Sequence, residues 1–410
     1  MLFLIINGII PIIYFFLLLL LIRQQNIFSN GVFNKQETSI FFALKVLYSI
    51  AYGFYYTRLG YGDTVSFYNA SNQVISALYR DPIDYLQLVF SPANFFNNES
   101  IQHYKYSIRM YGNESSYFII RIHSLLRLIS FSSYYTHCII YSFITLHGTV
   151  KLLSFFTTRI PTYKYFLITL LFFFPGISFW CSGFHKEGLV LAASGYIIQW
   201  FDRNNLKSNF NEKILSLLYL VVGITIIGII RFPFLLILSP ILFTFTLTKF
   251  YKIDTLIVFI SSYSIVLISS IIIYINNWRY DIIGFIENRR NDFKELISDN
   301  KVSTFGLSDI IISLKRIFIL PLNNPEFNFI GLFFLINSSI VLIILVYLIV
   351  SLRKYNPNAL ILFITILSSL IIIGFIVTET GAISRYKSPL LFTLIASLVL
   401  MIDYKKKNII

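Results

Sequence analysis

Two cysteines in 410 residues, Cys138 and Cys181, lie in or beside apolar segments without paired spacing, so neither a disulfide framework nor a zinc site is supported. Charge is scarce. Asp, Glu, Lys and Arg make up 13% of the chain against 56% hydrophobic residues, which excludes an ordinary water-soluble globule. Acidic residues are scarcer still, 19 against 33 basic, for a formal net charge of +14. The basic surplus sits in short clusters between apolar runs rather than on one basic domain, which argues against a nucleic-acid partner. HExxH, GxxxxGK, GxGxxG and GxSxG are all missing, so nucleotide-driven transport and ordinary hydrolase chemistry lose support.

What the chain does have is apolar runs close to a bilayer in length, recurring from end to end, and a mean hydropathy of +0.73. They lack the alternation of barrel strands, and only helices or closed barrels satisfy backbone groups in hydrocarbon. The expectation is an all-α integral membrane protein, one polytopic domain over residues 1–410. About eleven transmembrane helices are predicted, at residues 2–22, 38–56, 134–155, 164–181, 185–201, 214–230, 234–248, 255–275, 328–350, 359–378 and 387–402. The first run has no basic residue before it and Arg23 after it, so it reads as an uncleaved anchor with the N-terminus outside. Alternation then places Arg23, Lys35, Arg159, Lys164, Arg353, Lys354 and the Lys405–Lys407 cluster inside, along with the basic residues near 207 and 250. Only Lys186, Arg231, Arg385 and Lys387 fall in short outer loops, the imbalance that the positive-inside rule expects. The C-terminus is expected in the cytoplasm.

Two long outer segments result, 57–133 and 276–327, too long and too rich in Tyr, Phe, Ile and Leu to be simple or disordered connections. Within the first, Tyr117–Phe131 carries Arg121, His123 and Arg127 and reads as a helix lying in the interface. Asn69, Asn98 and Asn113 each begin an N-x-S sequence, which carries no inference in a chain this rich in Asn and Ser.

Chemistry can sit at four outer turns. Asp63, in GYGDTVSFY, opens a predicted helix; it can act as general base toward an acceptor hydroxyl, or Asp63 or Thr64 can simply cap the helix. His185, Lys186 and Glu187 form a tight turn between apolar helices. Lys186 can neutralise a phosphate and His185 donate to one; alternatively Lys186 snorkels to headgroups and Glu187 complements a helix dipole. Arg231 lies in an RFP turn, and Glu379 and Arg385 flank the loop TETGAISRYKSP. All four turns fall on one predicted face, which would let them line one cavity.

These residues resemble the GT-C superfamily of membrane glycosyltransferases, of the protein mannosyltransferase and aminoarabinose transferase type, which use polyprenyl-phosphate-linked sugars. The likeness lies in Asp63 early in the first outer loop, in the Pro-x-x-x-Phe-Trp-x-Ser-Gly-x-x-Lys-Glu run from Pro175 to Glu187, and in Arg-Tyr-x-x-Pro from Arg385 to Pro389. It implies a polyprenyl-phosphate-sugar donor, a cell-envelope glycan, lipid or protein acceptor, and inverting transfer on the non-cytoplasmic face of a bacterial inner membrane. Asp63 would be the base and Lys186 and Arg385 phosphate contacts, with His185, Glu187, Arg231 and Tyr386 further substrate-binding candidates. The family often shows two adjacent acidic residues, whereas Asp63 stands between Gly62 and Thr64; a divalent metal is an open expectation. The rival expectations are a polymerase or ligase acting on lipid-linked oligosaccharides, and a transporter or flippase, which should place ionisable groups mid-span as Lys45 and His147 are.

Overall fold

The computed structural model describes residues 5–25, 32–60, 62–91, Tyr104, Ile108, and residues 110–203, 210–251, 253–275, 307–318, 329–351, 357–377 and 380–407. Among these residues the regular structure is entirely helical. In chain order the helices are α1 (Ile10–Gln24, after a π-turn at Ile5–Ile9), α2 (Lys35–Leu59), α3 (Asp63–Arg80), α4 (Pro82–Phe90) and α5 (Glu114–Ser130). There follow α6 (Tyr134–Arg159), α7 (Lys164–Ile168, running into a π-turn at Thr169–Phe173), α8 (Pro175–Ser182), α9 (Lys186–Arg203) and α10 (Phe210–Tyr251). The last are α11 (Thr255–Ile275), α12 (Leu307–Phe318), α13 (Phe329–Val350), α14 (Pro357–Ile376) and α15 (Thr380–Lys407).

Among the described residues six stretches are long and apolar enough to cross a membrane: Ile6–Gln24, Lys35–Leu59, Tyr134–Arg159, Phe210–Phe232, Asn358–Ile376 and Gly381–Asp403. The bent pair Pro161–Phe173 and Pro175–Ser182 makes a seventh if counted as one span. The predicted spans 255–275 and 328–350 form the helices α11 and α13, in which the apolar stretches Thr255–Val266 and Ile336–Val350 are shorter among the described residues. Predicted span 185–201 forms α9, but its N-terminal turn is charged and it fails the apolar criterion. The predicted spans 214–230 and 234–248 both fall within α10, which is two helical stretches that meet at Arg231, whose φ of −145° and ψ of 60° are non-helical. The predicted loop around Arg385 is also helix, because α15 begins at Thr380 and runs through Pro389.

The chain divides into two compact units, Met1–Thr158 with Ser178–Phe232, and Arg159–Ile177 with Pro233–Ile410. In the first, α2 starts on a capping box in which Asn34 and Glu37 exchange side-chain-to-backbone hydrogen bonds. It ends on Gly60, in the left-handed conformation that glycine tolerates. The segment 57–133, predicted as the first outer loop, holds three packed helices where it is described: α3 packs along α5 and α4, and α4 touches α5. α5 begins at Glu114, slightly ahead of the predicted interfacial helix, and its cations are met by protein. Arg121 donates to the Leu88 carbonyl at 3.2 Å and to Ser91 O, while Arg127 donates to Ser71 Oγ at 2.8 Å and Tyr68 O at 2.7 Å. In the second unit α14 lies along α15 and α12, and Gly374 permits the close approach, since a Cβ there would sit 2.5 Å from the Ser313 carbonyl oxygen. The predicted segment 276–327 lies outside the described residues except for α12.

Candidate functional site

Three helix starts meet in the first unit. Gly62, at φ +118°, is the N-cap of α3, so Asp63 takes the first helical position. Thr64 is fully buried and uses its hydroxyl elsewhere, toward Tyr134 Oη at 2.7 Å and the Phe184 carbonyl at 3.1 Å. The capping alternative for Asp63 and Thr64 therefore gives way to a glycine cap, leaving a carboxylate at the positive end of the α3 dipole, where negative charge is favoured.

The turn before α9 is built by packing. A Cβ on Gly183 would lie 2.4 Å from the Tyr52 ring, so only glycine lets the chain pass there. Phe184 then stacks on His123 at 3.7 Å between ring centroids and on Tyr141 at 4.4 Å, and Tyr141 Oη donates to the His185 carbonyl. Phe179 and Trp180, the aromatic pair of the long motif, close on the other side of Tyr52. Aromatic and glycine positions of that motif thus hold the polar turn in place.

On this frame the charges form a chain. Asp63 Oδ2 lies 3.4 Å from His185 Nε2, His185 Nδ1 contacts Glu187 Oε2, and Arg231 Nη2 donates to Glu187 Oε1 at 3.0 Å. The side chains of His185 and Glu187 are each 1% exposed, Arg231 20% and Asp63 37%, so the chain opens at Asp63. A carboxylate as buried as Glu187 is tolerable because both oxygens are paired. The kink at Arg231 is what brings a residue of α10 to this place, a role stronger than the sequence assigns it.

Lys186 departs from the snorkelling expectation. Its ammonium is 8% exposed by residue and donates to Ser115 Oγ and Ser116 Oγ, both at 2.9 Å, in the first turn of α5. The starts of α3, α5 and α9 therefore adjoin one another, each contributing partial positive charge. Neither serine drew attention in the sequence, since nothing local distinguishes them from the other serines; their position opposite Lys186, 70 residues away, is a product of the fold.

Behind the site lies a second missed cluster. His123 Nδ1 and His137 Nδ1 are 2.9 Å apart, and His137 Nε2 is 2.6 Å from Ser130 Oγ. Burial, with His137 and the Arg127 guanidinium nearby, holds His123 well below the ordinary histidine value of 6.5.

Arg385 and Tyr386 belong to the second unit, on α15. Arg385 Nη2 donates to Tyr386 Oη at 3.3 Å, and its guanidinium lies 5.0 Å from that ring centroid. The neighbouring Lys387 and Ser388 find partners within that unit, Lys387 on the Ile317 carbonyl at 2.8 Å and Ser388 on the Gly176 carbonyl at 2.7 Å. These bonds give two of the polar side chains of the predicted loop partners inside the fold. Glu379 and Asn98 lie outside the described residues. Among the described residues no three His, Cys, Asp or Glu side chains converge as metal ligands would. Compared with protein-family models, with curated proteins and with solved structures, the chain gives no match.

Proposed function

We propose that this protein is a membrane glycosyltransferase that moves a sugar from a polyprenyl-phosphate donor to a glycan, lipid or protein of the cell envelope. The observation that carries this reading is Asp63: a partly open carboxylate, at the meeting of three helix starts, backed by the buried His185–Glu187–Arg231 chain. The motif resemblance supplies the donor class.

In the proposed reaction the Asp63 carboxylate takes the proton of an acceptor hydroxyl as its oxygen bonds to the anomeric carbon. The bond from that carbon to the phosphate oxygen breaks with inversion, and its electron pair leaves on the polyprenyl phosphate. The starts of α3, α5 and α9, with Lys186 among them, favour negative charge at this place. Arg385 is the further phosphate contact proposed, and Tyr386 and Arg231 complete the substrate-binding candidates. The finer topology belongs to the same proposal: about eleven crossings of a bacterial inner membrane, the N-terminus outside, the C-terminus cytoplasmic, and the site on the non-cytoplasmic face. A lipid-linked donor needs such a site, beside the hydrocarbon that holds its tail.

The test is transfer from a panel of radiolabelled polyprenyl-phosphate monosaccharides to membrane acceptors, by the purified protein in proteoliposomes. Transfer by the wild type, reduced about 10²–10⁴-fold in Asp63→Asn with folding retained, is the expected result. Activity only with oligosaccharide carriers would replace this reading by the polymerase or ligase, and movement of the carrier between leaflets without transfer would replace it by the flippase.

A further inference from the structure

The proposed reaction leaves a proton on Asp63, and the atoms behind that carboxylate form a path for it. His185 Nε2 faces Asp63 Oδ2 at 3.4 Å, a distance at which catalytic hydrogen bonds of unliganded sites often stand before substrate tightens them. On the far side, Nδ1 faces two partners, the Glu187 carboxylate and the Lys186 backbone N–H, which donates at 2.8 Å. One nitrogen cannot donate to the first while accepting from the second. With the proton on Nδ1, the imidazole donates to Glu187; with it on Glu187, Nδ1 accepts from Lys186. Both placements have a partner waiting, so the pair has two proton positions. Arg231 Nη2 holds the other carboxylate oxygen of Glu187 at 3.0 Å.

We propose that Asp63, His185 and Glu187 form one proton-holding relay, with Arg231 as its anchor, so that His185 and Glu187 are positioning residues for Asp63 rather than sugar ligands. This rests on the glycosyl-transfer reading for the source of the proton. In the step, the acceptor O–H bond breaks, its proton passes to Asp63 Oδ2 and on to Nε2, and the imidazolium is held between two carboxylates. The proton then returns through Asp63, the open end of the relay, to solvent or to the departing phosphate, which restores the starting charges. At 1% exposure neither His185 nor Glu187 offers an atom to a bound sugar, whereas Asp63 does. The groups that face His185 include Asp63 and the Phe67 ring from α3, Tyr141 from α6 on its carbonyl, Lys186 and Glu187 from α9, and Arg231 of α10 through Glu187.

Two readouts test this on the full chain in lipid nanodiscs. The first is nitrogen NMR of histidine-labelled protein, in which His185→Gln identifies the signal among five histidines. Asp63 contacts Nε2 and Glu187 contacts Nδ1, so Asp63→Asn should move the Nε2 resonance and Glu187→Gln the Nδ1 resonance of the labelled ring. The second is the pH profile of transfer: the base must be unprotonated, so its acidic limb should move to lower pH in Glu187→Gln, and His185→Gln should lower kcat with KM unchanged. Asp63 lies at the open end, so its variant keeps the NMR arm decisive should Glu187→Gln not fold. An Nε2 resonance unmoved by Asp63→Asn, or full kcat in His185→Gln, overturns the relay even where transfer is seen. Ring resonances that respond to both variants without transfer from any donor instead overturn the glycosyltransferase reading and leave the relay standing for another proton transfer.

Discussion

At the scale of single residues, burial converts ordinary side chains into conditional ones. His123 has no contact with solvent, and in either tautomer of the His123–His137 pair its Nε2 has no hydrogen-bond partner among the described residues. Protonating it would put a second positive charge beside Arg127 in a desolvated place, so the folded protein keeps it neutral while the unfolded chain titrates near 6.5. Below that pH the unfolded state binds more protons, and stability therefore falls as pH falls. Thermal unfolding in detergent should show a lower midpoint at pH 5.5 than at pH 7.5, and His123→Phe should flatten that dependence; an equal slope in the variant would assign it to other groups. The sequence marked Asp63 and the His185–Lys186–Glu187 turn because charge stands out against apolar flanks. It noted His123 only as a charge on an interfacial helix and passed over Ser115 and Ser116, because their partners lie on other helices.

At the scale of elements, two glycines decide how closely α9 sits on α6. A Cβ on Gly195 would come 1.9 Å from the Gly148 carbonyl oxygen, and one on Gly148 would come 2.2 Å from that of Ala192. Backbone meets backbone there, so no side chain can yield, and small residues are what allows such approach between apolar helices. Gly195→Ala should destabilise by about 1–3 kcal/mol in reversible unfolding, with loss of transfer because α9 carries the turn at its N-terminus. Gly112→Ala, where a Cβ meets nothing within 4 Å, should leave stability unchanged and serves as the control. Helix existence was legible from the apolar runs. Their breaks were not: the sequence puts a turn between the spans 214–230 and 234–248 whereas the backbone leaves helical values at Arg231, and the polar stretch around 385 reads like a loop but is helix in α15.

For the whole molecule, the six or seven crossings found among the described residues and the proposed eleven differ, and orientation decides which face of the membrane the site serves. Both native cysteines are buried, so introduced ones can be read against a low background. Asp84→Cys, in the first outer segment, should react with an impermeant maleimide added to intact cells, and Asn211→Cys, at the start of α10, only after permeabilisation. The reverse pattern would put the site on the cytoplasmic face and remove the proposed donor geometry. Charge asymmetry predicts the first outcome, because Lys and Arg cluster on one side of the alternating apolar runs.

Composition and run length alone determined that this chain is helical and membrane-embedded, because hydrocarbon leaves backbone groups no other partner. The spacing of charges within apolar surroundings also singled out Asp63, the 185–187 turn and Arg231 one by one. Tertiary structure alone decided that these residues form a chain from an open carboxylate to a buried guanidinium, and that Lys186 turns to two serines. Desolvation makes unpaired charge costly, so each buried charge takes the partner that packing brings within reach, and packing joins residues whose separation along the chain carries no trace of it.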